Sequence, residues 1–180
     1  ATVGVAAVSD VMATALFEQA YVEGHSIMFW VAFGMMFLGL TEYSIKPWEL
    51  TANTKAIFKR SLIGGAVNVG LNLILIKLLG SYYIASVTTF IGFFVYFLLA
   101  RYGTRSQLRW KLKGKSLFRI LLSAAIMYLA IYILKIFMPF NKINLVLFVF
   151  CGMIVYGLVL YISGEVKNEA NLVLNKIIKK

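Results

Sequence analysis

Acidic residues are scarce in this sequence: 7 against 18 lysines and arginines, a formal net charge of +11 over 180 residues. Cysteine and histidine occur once each. Cys151 lies inside an apolar run, so no disulfide framework within the chain exists. His25 alone cannot build a metal site. The sequence contains no GxxxxGK[ST] phosphate loop, no HExxH, no paired cysteines and no G-x-S-x-G elbow. Nucleotide hydrolysis, zinc-dependent hydrolysis and serine-nucleophile chemistry therefore lack their usual residues, and the expectation is a protein that is not an enzyme and needs no cofactor. Only Pro47 and Pro139 interrupt the backbone, so the long apolar segments run unbroken. An initiating methionine and a signal-peptide pattern are also missing, which reads as a chain whose N-terminal part lies elsewhere.

Apolar residues make up what remains. They account for 61% of the chain, more than a soluble domain of this length can hide. The expected class is all-α: a polytopic transmembrane helix bundle. The runs are continuous and do not alternate, which does not fit a β-barrel. Five complete spans are expected, at about residues 26–45, 62–79, 83–102, 117–138 and 143–163, each near the ~20 residues that cross a bilayer. Residues 1–20 read as the end of a preceding membrane helix, with an amphipathic surface helix as the alternative. Four regions follow: 1–25, the truncated helix and outer segment; 26–110, three helices; 111–163, two further helices; and 164–180, a basic tail.

Basic residues orient the spans. Fifteen of the 18 fall in three segments, residues 46–60, 101–119 and the tail. Only Lys77, Lys135 and Lys142 fall at the other end. By the positive-inside rule the three basic segments and the C-terminal tail are cytoplasmic, and the protein belongs in the cytoplasmic membrane. This distribution accounts for the net charge without nucleic acid as a partner. The tail, with Leu172, Leu174, Ile177 and Ile178 among lysines, has the makings of a surface helix.

Polar residues inside the spans are the candidate functional residues. Ser61, Gly65, Asn68 and Asn72 recur at helical spacings of three and four and share one face. Such a seam either presses against a neighbouring helix or borders a polar cavity. The flanking glycines favour hydrogen bonds between helices for Asn68 and Asn72, with a substrate cavity as the sharper reading. Lys77 and Lys135 lie about a turn from span ends, where a lysine can snorkel to the interface or meet an anionic headgroup. Glu42 is a candidate protonatable coupling group; the plainer expectation pairs it with Lys46, four residues on. The cluster of basic residues 101–119 orients the chain and can also hold phosphate-bearing lipids. Tyr128 and Tyr132 fit either lipid-tail contact or ordinary packing.

One stretch carries a resemblance. Residues 53–80 read NTKAIFKRSLIGGAVNVGLNLILIKLLG. Asn68, Leu71, Asn72, Leu75, Ile76 and Gly80 match an "N-x-x-L-N-x-x-L-I-P-x-x-G" phrase, with Lys77 in place of the proline. A following "G-A-A-x-A-T" phrase is echoed by Ala85 and by Thr88 or Thr89. In this the chain resembles the C-terminal portion of polysaccharide flippases of the MOP (MATE-like) superfamily. The resemblance covers most of residues 26–102; the last two spans fit the two extra helices of such flippases in number and order. It implies a protein of about fourteen helices whose repeat-related lobes rock around a central cavity. It further implies flipping of a polyprenyl-pyrophosphate-linked oligosaccharide between leaflets, membrane lipids around it, H+ or Na+ as coupling ion, and an N-terminal lobe as partner. Two alternatives stand beside it: a MATE-type exporter of cationic drugs, which would favour acids such as Asp10 and Glu42 in the cavity, and a non-transporting membrane scaffold.

Overall fold

The computed structural model describes residues 2–16, 24–81, 83–107 and 113–165. Seven helices lie among the described residues: α1 (Thr2–Leu16), α2 (His25–Ser44), α3 (Lys46–Leu50), α4 (Thr54–Leu79), α5 (Tyr83–Gly103), α6 (Gly114–Phe137) and α7 (Lys142–Ile162). Five of them, α2 and α4 to α7, are long and apolar enough to cross a membrane. The expectation of a surface helix in the tail, and the placement of Glu18, Glu23, Arg109 and Lys111, fall outside the described residues.

Local chemistry sets the helix ends. Asn53 caps α4: its side chain accepts a hydrogen bond from the Ala56 N–H at 3.2 Å. The opposite end of α4 closes on Gly80, whose φ of 62° is the left-handed conformation that glycine adopts without a Cβ clash. Asn141 caps α7 in the same way, accepting from the Asn144 N–H at 2.7 Å, while the Asn144 amide donates back to the Pro139 carbonyl at 2.8 Å. That pair of bonds makes the tight turn between α6 and α7. Pro47 sits in the first turn of α3, where its missing N–H is no loss, so it redirects the chain after α2 without opening a long loop.

Packing proceeds from close glycine contacts. α5 is the central helix of one group, with α2 on one side and α4 on the other. Gly34 of α2 faces the Phe90 backbone and the Phe93 ring of α5. Phe37 sits among the rings of Phe90, Phe94 and Phe97, with centroids 4.9–5.7 Å away. α6 and α7 form a second group in which Gly152 receives Ile131. α1 lies between the groups, against α2 on one side and α6 and α7 on the other. Its Ala7, Val8 and Val11 are buried with Met127, Ile131 and Phe148. Much of α4, including Leu62, Val69, Leu73 and Leu78, is left exposed, as suits a surface facing hydrocarbon.

The two ends of the bundle differ in charge. One end gathers the basic residues. There Trp48 is buried under the Arg60 guanidinium, 4.2 Å from the ring centroid. Glu165, just past α7, accepts hydrogen bonds from the Ser116 hydroxyl and, at 3.1 Å, from Arg119. These contacts tie the start of α6 to the end of α7. They also hold the Glu165 carboxyl below its ordinary value, the Ser116 hydrogen bond first and Arg119 second. A lowered carboxylate pKa contributes stability above its ordinary value of 4.5, and that contribution is lost as pH falls through the lowered value. Unfolding midpoints measured in micelles from pH 7 down to pH 3 should show an acid-side decline that is shallower in Glu165→Gln.

Candidate functional site

Asn68 and Asn72 meet α5 directly. The Thr88 hydroxyl donates to Asn72 Oδ1 at 2.6 Å, the Asn72 amide donates to Asn68 Oδ1 at 2.8 Å, and the Asn68 amide donates to the Thr89 hydroxyl at 3.4 Å. This is a four-residue network across the α4–α5 contact. Gly64 and Gly92 make it possible by letting the two backbones touch: a Cβ on either would lie 2.9 Å from the other's carbonyl oxygen. The seam is therefore Gly64, Asn68 and Asn72, four residues apart. Gly65, expected on this face, points into open space with nothing within 4 Å of a Cβ. Asn68 also borders a cavity of about 270 Å3, together with Ser61, Gly65, Phe93 and Tyr96, so the expected face of Ser61, Gly65 and Asn68 does border a cavity. Replacing Asn68 and Asn72 together by leucine should weaken the helix pair by about 1 kcal/mol, at roughly 0.6 kcal/mol per intramembrane hydrogen bond. Insertion should be unaffected, which protease protection of the double variant's loops, compared with the parent's, checks.

Glu42 does not pair with Lys46. The Lys46 ammonium bonds Glu49 instead, at 2.6 Å, one turn along α3. The break in the helix at Ile45 turns Lys46 away from the i+4 position it would hold on a continuous helix. The Lys46 pKa is raised chiefly by the Glu49 hydrogen bond, then by the Glu49 charge; the Glu42 charge is a lesser cause. Glu42 is exposed at the basic end. Lys77 is exposed in the last turn of α4 at the opposite end, with no ion pair among the described residues.

Lys135 has a partner that spacing could not reveal. Its ammonium lies 2.5 Å from Asp10 Oδ1, linking α6 to α1 across 125 positions of sequence. The Lys135 side chain is only 13% exposed, that of Asp10 38%. The same Asp10 oxygen accepts the Val11 N–H at 2.8 Å, while Oδ2 accepts no hydrogen bond among the described residues.

The pair lines a second cavity, of about 390 Å3, between α1, α2, α5 and α6 at the less basic end. Ser9, Ser26 and His25 add polar groups to it; Trp30, Tyr83 and Tyr128 add aromatic ones. The Trp30 indole N–H donates to the Tyr83 hydroxyl, which leaves that hydroxyl's own proton free to donate elsewhere. The Tyr128 hydroxyl has no partner among the described residues. Of the candidate residues singled out by sequence, Asp10, Lys135 and Tyr128 line this cavity among the described residues. Asn68 and Asn72 lie in the separate α4–α5 seam, and Tyr132 lies exposed on α6.

These observations define a multi-pass helical membrane protein, with a polar, aromatic-lined cavity at one end of the bundle. Comparison with known proteins supplies no relative: no family model, curated protein or solved structure matches the chain.

Proposed function

We propose that this chain is the C-terminal part of a transporter that flips a polyprenyl-pyrophosphate-linked oligosaccharide across the cytoplasmic membrane by alternating access. The observation that carries the reading is the cavity holding Asp10 and Lys135: a polar, ligand-sized space built into a bundle of membrane-length helices. A sugar headgroup cannot enter hydrocarbon without its hydrogen bonds, and a cavity of this kind replaces them while the lipid tail remains outside. The flippase-like phrase at residues 68–80 adds support, because Asn68, Asn72 and Gly80 each have a physical task in the fold. The basic end faces the cytoplasm, by the positive-inside rule. H+ or Na+ supplies the driving force, and the second lobe completes the central cavity.

Export of cationic drugs is the rival, favoured by a carboxylate on the cavity wall. Lys135 offsets that charge and would repel a cation placed beside Asp10. The deciding experiment follows lipid-linked glycan in cells lacking the intact gene. Build-up confined to the cytoplasmic leaflet, cured by the gene, is the expected result. A normal leaflet distribution with lost efflux of a lipophilic cation would replace flipping by drug export.

A further inference from the structure

We propose that the cavity between α1, α2, α5 and α6 is a binding site for uncharged sugar, seating a short hydroxyl-rich segment of the transported glycan apart from its pyrophosphate. The inference rests on the transport reading for the source of that sugar. The recognition chemistry is carried by the cavity itself.

Asp10 and Lys135 present an acceptor and a donor side by side. Asp10 Oδ2 accepts no hydrogen bond among the described residues, and the Lys135 ammonium has three protons with one directed at Asp10. Vicinal hydroxyls both donate and accept, so one can donate to Oδ2 while its neighbour accepts from the ammonium. The pair is neutral as a unit. A pyrophosphate placed here would gain Lys135 but meet the Asp10 carboxylate at the same distance, and a cation would meet the converse. A zwitterion would have to separate the pair to engage both charges. Around it stand Trp30, Tyr83 and Tyr128, whose rings offer apolar contact to the C–H face of a sugar, and the two tyrosine hydroxyls offer further bonds. The Tyr83 proton and the whole Tyr128 hydroxyl remain to be used. At about 390 Å3 the cavity is near the small end of ligand sites, which run from about 300 to 1,000 Å3, and so suits a short segment of glycan.

Trp30 supplies the readout. The protein is reconstituted into phospholipid vesicles free of glycoside detergent. Its tryptophan fluorescence is then titrated with maltose, N-acetylglucosamine, a membrane-inserted alkyl maltoside, inorganic pyrophosphate, glycine betaine and tetraphenylphosphonium. A saturable change is expected with sugar, absent in Trp30→Phe, and not with the three charged probes. Response to the free sugars shows that the ring alone is recognised; response to the alkyl maltoside alone shows that the sugar must arrive on a lipid. Asp10→Asn should weaken the sugar response about tenfold or more, since it removes a charged acceptor. Tyr128→Phe removes only an unpartnered hydroxyl, leaves folding intact and should weaken the response by about threefold. No response to any sugar, or a response to pyrophosphate, betaine or the phosphonium instead, overturns the proposal. Its failure is separable from failure of the transport reading: flipping measured in cells would persist with a silent cavity if only the sugar site is wrong.

Discussion

Gly92→Leu should separate α4 from α5 and cost about 2–4 kcal/mol of stability, from overpacking together with lost intramembrane hydrogen bonds. Even the first added carbon would lie 2.9 Å from the Gly64 carbonyl oxygen and 2.9 Å from Asn68 Cβ. Neither neighbour is the far end of a flexible side chain, so the helices themselves must move. Any such movement stretches the Thr88–Asn72 bond of 2.6 Å and the longer Asn68–Thr89 bond of 3.4 Å. Gly64→Leu should behave alike, since its Cβ would meet the Gly92 carbonyl oxygen and Tyr96 Cβ, both at 2.9 Å. Gly65→Ala and Gly70→Ala are the controls. Neither Cβ has an atom within 4 Å, and alanine is the better helix former, so both should be neutral or slightly stabilising. Reversible unfolding in mixed micelles reads the difference. Equal midpoints for Gly92→Leu and Gly65→Ala would mean that α4 and α5 do not touch through these glycines.

The second large effect is expected at the ion pair that joins α1 to α6. Asp10→Asn leaves the Lys135 ammonium mostly buried without its counter-charge. Removing one member of a well-buried pair costs about 3–5 kcal/mol, and partial exposure of Asp10 with room for lysine to snorkel reduces this to about 1–3 kcal/mol. Lys135→Met should cost less, because Asp10 is the more exposed partner and keeps the Val11 N–H. The double variant should recover most of the loss, since a neutral pair has no uncompensated charge. Unfolding of the four proteins closes a double-mutant cycle. Additive effects would show that the two side chains act independently. The restored double variant is also useful for function: it should fold like the parent protein yet lack the charged donor and acceptor of the cavity.

The spans were legible because lipid demands long continuous apolar runs. The expected 26–45 and 83–102 correspond to α2, His25–Ser44, and α5, Tyr83–Gly103, within a residue at each end. The start of α4 was not legible from hydropathy. Residues 54–60 carry Lys55, Lys59 and Arg60 and read as the end of a connection, with partial helix as an option, and Asn53 caps a helix that includes all of them. The seam was legible in kind: Ser61, Gly65 and Asn68 border one cavity, while the glycine pressed against α5 is the neighbouring Gly64. Gly64 and Gly65 are adjacent, and only the partner helix decides which of them turns inward. The cavity was legible least. Lys135 stood out as a charge in an apolar span, but Asp10 is 125 positions away in sequence, and Trp30 and Tyr83 are 53 apart. No periodicity links residues brought together by the packing of α1 between two helix groups.

Translocation itself is the most direct test of the account. The product of the intact gene would be placed in vesicles carrying a fluorescent polyprenyl-pyrophosphate-linked oligosaccharide, and the fraction exposed to an added glycosidase followed in time. The account predicts protein-dependent movement of the sugar between leaflets, driven by a proton or sodium gradient and abolished in Asp10→Asn/Lys135→Met. Sugar that stays in its original leaflet with folded protein present, gradient applied, would contradict it.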